Sequence, residues 1–146
     1  MKYDIAAFDF DGTLADTMPW FNSILNTVAD KYGFRKIDAA ERDQLRHREA
    51  SEILKFLGIP LWKLPAIMAH VRTLMQEIDP SVHLFDGIPD ALARLKAGGM
   101  RLAVVSSNSL ENVQRVLGPD TVALFDDYEC GTDLFGKPAK IDRLLK

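Results

Sequence analysis

Short apolar runs alternate along this chain with helical stripes, segments in which apolar residues recur at helical spacing. That alternation limits the fold more than any other feature. The run from Tyr3 to Phe10 predicts a short buried strand, which Gly12 interrupts. The continuous apolar run Leu102 to Val105 predicts a second strand, of the kind buried on both faces of a parallel sheet. Predicted helices precede and follow it. A doubly wound parallel α/β sheet is therefore the expected fold class.

The segment from 18 to 83 shows helical spacing only. Its stripes end near Gly33 and Gly58, a last stripe runs from Leu64 to Ile78, and "DAAE" at 38–41 has the form of a capping box. We therefore predict an α/β core formed by residues 1–17 and 84–146, with residues 18–83 inserted as a small helical bundle.

The second half of the chain continues the core pattern. Asp86 is expected to cap a helix that stops at Gly98, and Ser109 to begin another that stops at Gly118. "DDYEC" is a weaker third strand, and "GKPAKIDRLLK" is expected to be a loop that becomes a helix.

Polar side chains follow the predicted strands, where ligands of such sheets bind. Asp9 and Asp11 end the first strand, and Ser106, Ser107 and Asn108 end the second. Two neighbouring carboxylates repel each other, so one can stay ionised as a nucleophile while the other carries a proton as a general acid. The pair is also a hard-oxygen site for Mg²⁺, and Gly12 allows a sharp turn beside a ligand.

Each motif also has a simpler interpretation. The two acids are compatible with a solvated turn, "VVSSNS" with a plain helix N-cap, and "FGKP" with a surface turn.

Composition excludes several classes of partner. The net charge is −3 and no long basic run is present, so nucleic acid is not an expected partner. No segment resembles a membrane span. The single cysteine, Cys130, excludes an intramolecular disulfide and a cysteine metal cluster. The expected compartment is the cytoplasm.

The motif "DFDGTLADT" resembles the first motif of the haloacid dehalogenase superfamily of hydrolases, D-x-D-G-T-L-x-D-[ST]. "LAVVSSNS" is similar to the approach to the second motif of that family, and "LFGKPAK" to its third, a lysine usually followed by proline. The resemblance is greatest to the branch of phosphoglycolate-phosphatase-like enzymes, which carry an α-helical cap where residues 18–83 lie.

The resemblance implies a role for each matching residue. Asp9 would attack phosphorus and form an aspartyl-phosphate, and Asp11 would act as general acid and then general base. Ser106 would bind a phosphoryl oxygen, and Lys137 would neutralise charge on Asp9 and the phosphoryl group. Asp9 and the carbonyl of Asp11 would hold Mg²⁺. The remaining expected substrate-binding residues are Gly12, Thr13, Ser107 and Asn108.

The implied activity is Mg²⁺-dependent hydrolysis of a small phosphorylated metabolite, phosphoglycolate-like in character. A phosphotransferase of the β-phosphoglucomutase type, or a phosphate-binding protein without turnover, remains an alternative. The fourth motif of the family, an acidic pair downstream of Lys137, has no match in "PAKIDRLLK". We therefore expect the 146 residues to be a fragment with weak Mg²⁺ binding and impaired activity.

The helical insert is expected to govern substrate choice. "RHREAS" at 46–51 offers cationic groups to an anionic substrate, and Arg48 is the predicted specificity residue, against the simpler interpretation of a solvated helix face.

Overall fold

The structure is a computed structural model that describes residues 3–45, 47–131 and 136–145. Within these residues three strands form one sheet: β1 (Ile5–Phe8), β2 (Arg101–Val105) and β3 (Asp127–Glu129). The α-helices are α1 (Met18–Tyr32), α2 (Ala39–Leu45), α3 (Ala50–Leu57), α4 (Leu64–Met75), α5 (Ile88–Ala97), α6 (Leu110–Val122) and α7 (Gly136–Leu144), and a 3₁₀ turn covers Leu61–Lys63.

The chain divides into two compact units. One comprises Met1–Met18 and Ile78–Lys146 and contains the sheet, and the other, Pro19–Glu77, is helical. The sequence places the boundaries between 17 and 18 and between 83 and 84. The role of the helical unit as a cap remains a prediction.

The α/β unit is built around β2. Its strands run parallel in the order β1-β2-β3, and the register pairs Ile5 with Arg101 and Ala103 with Asp127. Ala103 and Val105 pack with Leu144 of α7 on one face, whereas Leu102 and Val104 lie fully buried on the other. Burial of both faces explains the continuous apolar run, because successive side chains point to opposite sides. The predicted fold class is confirmed.

The start of α5 differs from the prediction, and the helix predicted to stop at Gly118 is interrupted there but continues after a kink. Asp86 does not cap α5: Gly87 occupies the N-cap position with φ +82°, and no side chain caps the helix. Gly118 breaks helical geometry with φ +74°, but helical structure resumes at once and extends to Val122. Pro119 explains the restart, since proline lacks an N–H and its fixed φ suits the first turn of a helix.

The helical unit has its own apolar core. Ile24 and Val28 of α1 are buried with Ile67 and Val71 of α4. The predicted capping box is confirmed: Asp38 Oδ1 accepts from Glu41 N at 2.8 Å, and Glu41 Oε2 accepts from Asp38 N at 3.2 Å. The last stripe is shorter than predicted, because α4 ends at Met75 and Ile78 lies outside it.

No helix within the described ranges has both the length and the apolar character needed to cross a bilayer.

Candidate active site

A tight turn follows β1 and carries both acids. The N–H groups of Thr13, Leu14 and Ala15 donate to the carbonyl of Phe10 at 3.3, 3.0 and 3.1 Å. Gly12 adopts φ +70° and donates its N–H to Ala15 O at 2.9 Å. A side chain at this φ would be strained, so glycine is needed for the turn. The turn fixes the backbone that carries Asp9 and Asp11 at the carboxyl end of β1.

Asp9 is held by one backbone donor and one cation. Its Oδ1 accepts from Phe10 N at 2.9 Å, and its Oδ2 pairs with the Nζ of Lys137, which is 128 positions away in sequence. Lys137 lies in the first turn of α7, not in the loop that the sequence predicts. The Asp9 side chain remains 40% exposed, so its carboxylate is both paired with a cation and open to a ligand.

Asp11 has a different environment. Burial raises the pKa of its carboxyl group above the usual 3.8, and the negative charge of Asp9 contributes in the same direction. Hydrogen bonds from Thr17 and Asn108 oppose this rise in pKa, the latter from Asn108 Nδ2 to Asp11 Oδ1 at 3.4 Å. The two carboxyl groups therefore have different environments, which is what a nucleophile beside a proton donor requires.

The residues after β2 converge on the same edge of the sheet. Ser106 is fully buried, and its Oγ accepts from Asn108 N at 3.0 Å. Asn108 is 6% exposed, whereas Ser107, like Gly12 and Thr13, is exposed. The simpler interpretation of this motif is correct for Ser109, which is the N-cap of α6 and accepts from Asn112 N at 3.2 Å.

Three buried polar residues that no sequence motif indicates also contribute to this region. Thr17 is 2% exposed and bonds to Asp11, and Asn112 is 2% exposed and bonds to Asn108.

Lys140 is 3% exposed, and its Nζ donates to Ser106 O at 2.6 Å and to Gly131 O. Sequence spacing could have indicated two of these residues, because Asn112 lies one helical turn after Asn108 and Lys140 lies one turn after Lys137.

Arg48 belongs to the helical unit. It lies exposed in the turn between α2 and α3, where its N–H donates to Leu45 O at 3.1 Å. Its assignment to substrate specificity stays a prediction.

The donor chemistry at the β1 turn suits a hard cation. Asp9 and Asp11 supply carboxylate and carbonyl oxygens, which are the ligands that Mg²⁺ prefers, and the Asp9 carboxylate is accessible. Across residues 3–45, 47–131 and 136–145, no group of three or more His, Cys, Asp or Glu side chains could hold a metal. Asp133, another acid that precedes Lys137 in the sequence, lies outside the described residues.

Comparison with known proteins decides the family. Residues 6–146 match the family described as haloacid dehalogenase-like hydrolase. The chain belongs to this family. The resemblance that the three motifs indicate is therefore confirmed, and it covers nearly the entire chain.

Individual members of the haloacid dehalogenase-like family are similar over most of this chain. A phosphoglycolate phosphatase of Synechococcus elongatus is 31% identical over 139 residues, which are 94% of this chain and 66% of that enzyme. This chain thus spans just under two thirds of the length of that relative.

Solved structures of the family agree with the fold. A candidate phosphoglycolate phosphatase from Lactobacillus plantarum superposes with a TM-score of 0.80 at 22% identity, over 99% of this chain and 71% of the other. CbbY from Rhodobacter sphaeroides, solved in complex with phosphate, gives a TM-score of 0.60 at 28% identity, over 97% of this chain and 70% of the other.

Proposed function

We propose that this protein is a Mg²⁺-dependent phosphatase that hydrolyses a small phosphorylated metabolite through an aspartyl-phosphate on Asp9. One observation carries the proposal: Lys137 pairs with Asp9 at the carboxyl edge of the sheet, beside a second acid whose pKa is raised. The identity with a phosphoglycolate phosphatase supports a substrate of that class, a small phosphorylated carboxylic acid.

Asp9 is the nucleophile in this mechanism. Its ionised carboxylate attacks phosphorus, an acyl-phosphate bond forms, and the bond from phosphorus to the ester oxygen breaks. Lys137 offsets negative charge on the carboxylate and on the phosphoryl oxygens as they approach each other.

Asp11 moves the protons. With its raised pKa it donates a proton to the departing alkoxide. It then accepts a proton from water, whose oxygen attacks the phosphorus of the acyl-phosphate. Inorganic phosphate leaves and the Asp9 carboxylate is regenerated.

The loop after β2 binds the phosphoryl group in this proposal. Ser106 Oγ accepts a backbone N–H from Asn108, which leaves the hydroxyl proton for a phosphoryl oxygen. Ser107, Gly12 and Thr13 are the exposed groups at the same edge.

Asp9 and the carbonyl of Asp11 would hold Mg²⁺. When bound, the ion would neutralise phosphoryl charge.

The direct test is hydrolysis of 4-nitrophenyl phosphate by the full-length protein, with Mg²⁺ and with the metal chelated. We expect Mg²⁺-dependent release of phosphate, which Asp9→Asn abolishes with no change in the circular dichroism spectrum. Substantial turnover by Asp9→Asn would contradict the assignment of the nucleophile.

The same residues would serve a phosphotransferase or a binding protein. Isomerisation of a sugar phosphate without net release of phosphate would favour the transferase. Phosphate binding by a wild-type protein that shows no turnover would favour the binding protein. A cytoplasmic location remains a prediction.

A further inference from the structure

We propose that Asn112 and Arg115 form a polar relay that orients Asn108 so that an N–H donor, and not a carbonyl oxygen, faces Asp11. This inference rests on the proposed function for its catalytic consequence. It concerns two residues of α6, neither of which belongs to the sequence motifs of the site. Both act as positioning residues.

The relay begins at the guanidinium of Arg115, which can only donate hydrogen bonds. Arg115 Nη2 donates to Asn112 Oδ1 at 2.9 Å and to the carbonyl of Ile78 at 3.5 Å. A guanidinium has no acceptor, so the oxygen of the Asn112 amide must be the atom that faces Arg115. The Asn112 amide nitrogen is thereby directed to the opposite side.

The orientation of the Asn112 amide in turn fixes the orientation of the Asn108 amide. Asn112 Nδ2 donates to Asn108 Oδ1 at 3.1 Å, and the same oxygen accepts from Ser109 N at 2.9 Å. Two donors at one end of the amide fix that end as the carbonyl oxygen. The nitrogen of Asn108 therefore points to Asp11 Oδ1, at 3.4 Å.

Both amides are buried, so a reversed orientation would be costly. Asn112 is 2% exposed and Asn108 is 6% exposed, so little water is available to satisfy an amide turned the wrong way. A reversed Asn108 amide would present its oxygen to Asp11. That oxygen cannot bond the ionised carboxylate, and it would compete with the leaving group for the proton of the protonated form. Asp11 would then keep its bond to Thr17 but lose the one from Asn108 that helps to orient its carboxyl group for proton transfer.

The variant Asn112→Asp tests the relay with almost no change in shape. The introduced carboxylate still accepts from Arg115 but cannot donate to Asn108, and its second oxygen repels Asn108 Oδ1. The Asn108 amide is then expected to reverse against the one bond that Ser109 N still gives it. With an alkyl phosphate, kcat should fall about tenfold to a hundredfold, which is less than the ~10²–10⁴ attributed to a whole general acid. The first step with 4-nitrophenyl phosphate should change little, because that leaving group needs no proton, and KM should stay near the wild-type value.

The matched control is Gln114→Glu, which adds the same charge to α6 two positions away and should leave both rates unchanged. Arg115→Leu is a second variant at an exposed position, and it should give a smaller loss with the same dependence on the leaving group. Equal slowing of the first step with the two phosphate esters in Asn112→Asp would overturn the relay.

A measurement without turnover separates this inference from the proposed function. The side-chain amide resonance of Asn108 in ¹⁵N-labelled full-length protein should move in Asn112→Asp and Arg115→Leu but not in Gln114→Glu. If it does not move, the relay is wrong even in an active phosphatase. If it moves while the wild type hydrolyses neither ester, the relay is supported and the phosphatase proposal fails.

Discussion

At the scale of single residues, the two acids after β1 differ in the groups that surround them. Asp9 has a cation and an accessible carboxylate, whereas Asp11 is half-buried beside hydrogen-bond donors. Chemical identity alone would not distinguish them. This difference in environment supports the proposed roles, in which Asp9 attacks phosphorus and Asp11 transfers the proton.

Replacing Asp11 should separate the two chemical steps. Asp11→Asn keeps the shape of the side chain but cannot move a proton, so hydrolysis of an alkyl phosphate should fall by about 10²–10⁴. With 4-nitrophenyl phosphate, a burst of nitrophenolate should remain and be followed by slow steady turnover, because water is no longer activated. Stopped-flow absorbance measures both phases.

The control for that experiment is Asp4→Asn, an exposed acid before β1 whose loss should leave both phases unchanged. Equal slowing of the first step with alkyl and aryl esters in Asp11→Asn would show that Asp11 is not the general acid.

At the scale of the elements, Asp126 fixes the start of β3 against β2. Its carboxylate accepts from Leu102 N at 2.8 Å and from Lys96 Nζ at 2.5 Å, and its own N–H donates to Leu102 O at 2.8 Å. One residue thus satisfies both backbone groups of Leu102.

The stability that Asp126 supplies should depend on pH. The bonds from Lys96 and Leu102 lower its pKa below the usual 3.8, so the folded state favours the carboxylate. That contribution is complete above pH 3.8 and is lost as pH falls through the folded-state pKa. Urea unfolding should therefore show Asp126→Asn to be less stable than wild type at neutral pH, with the difference shrinking in acid.

Asp120→Asn, at an exposed position of α6, is the matched control and should show no such change with pH. A difference in the free energy of unfolding that is constant with pH for Asp126→Asn would contradict the role of its carboxylate.

The elements also show what sequence patterns predict and what they do not. The continuous apolar run of β2 and the capping box of α2 specify local structure directly, and both are confirmed. The restart of α6 after Gly118 and the burial of Lys140 depend on packing against the rest of the unit. Period and spacing describe which face a residue occupies, but not whether a polar side chain on it finds partners.

At the scale of the whole molecule, the candidate chemistry lies in the α/β unit and the predicted specificity in the helical unit. Arg48→Ala should lower kcat/KM for a carboxylated phosphate ester at least about tenfold more than for 4-nitrophenyl phosphate, because a lost charged contact costs about 1.5–3 kcal/mol. Steady-state kinetics with both esters measures this ratio.

Lys55→Ala removes another exposed cation of the helical unit and should change both activities equally or not at all. Equal losses with the two esters in Arg48→Ala would remove Arg48 from the specificity site.

The central claim is the covalent step on Asp9, and borohydride trapping tests it most directly. Full-length protein that is turning over a phosphate ester is quenched with borohydride, which reduces an acyl-phosphate to an alcohol, and is then digested for mass spectrometry. The account predicts homoserine at position 9, dependent on substrate and absent from Asp9→Asn. Reduction at another acid, or none in a protein that is hydrolysing the ester, would contradict it.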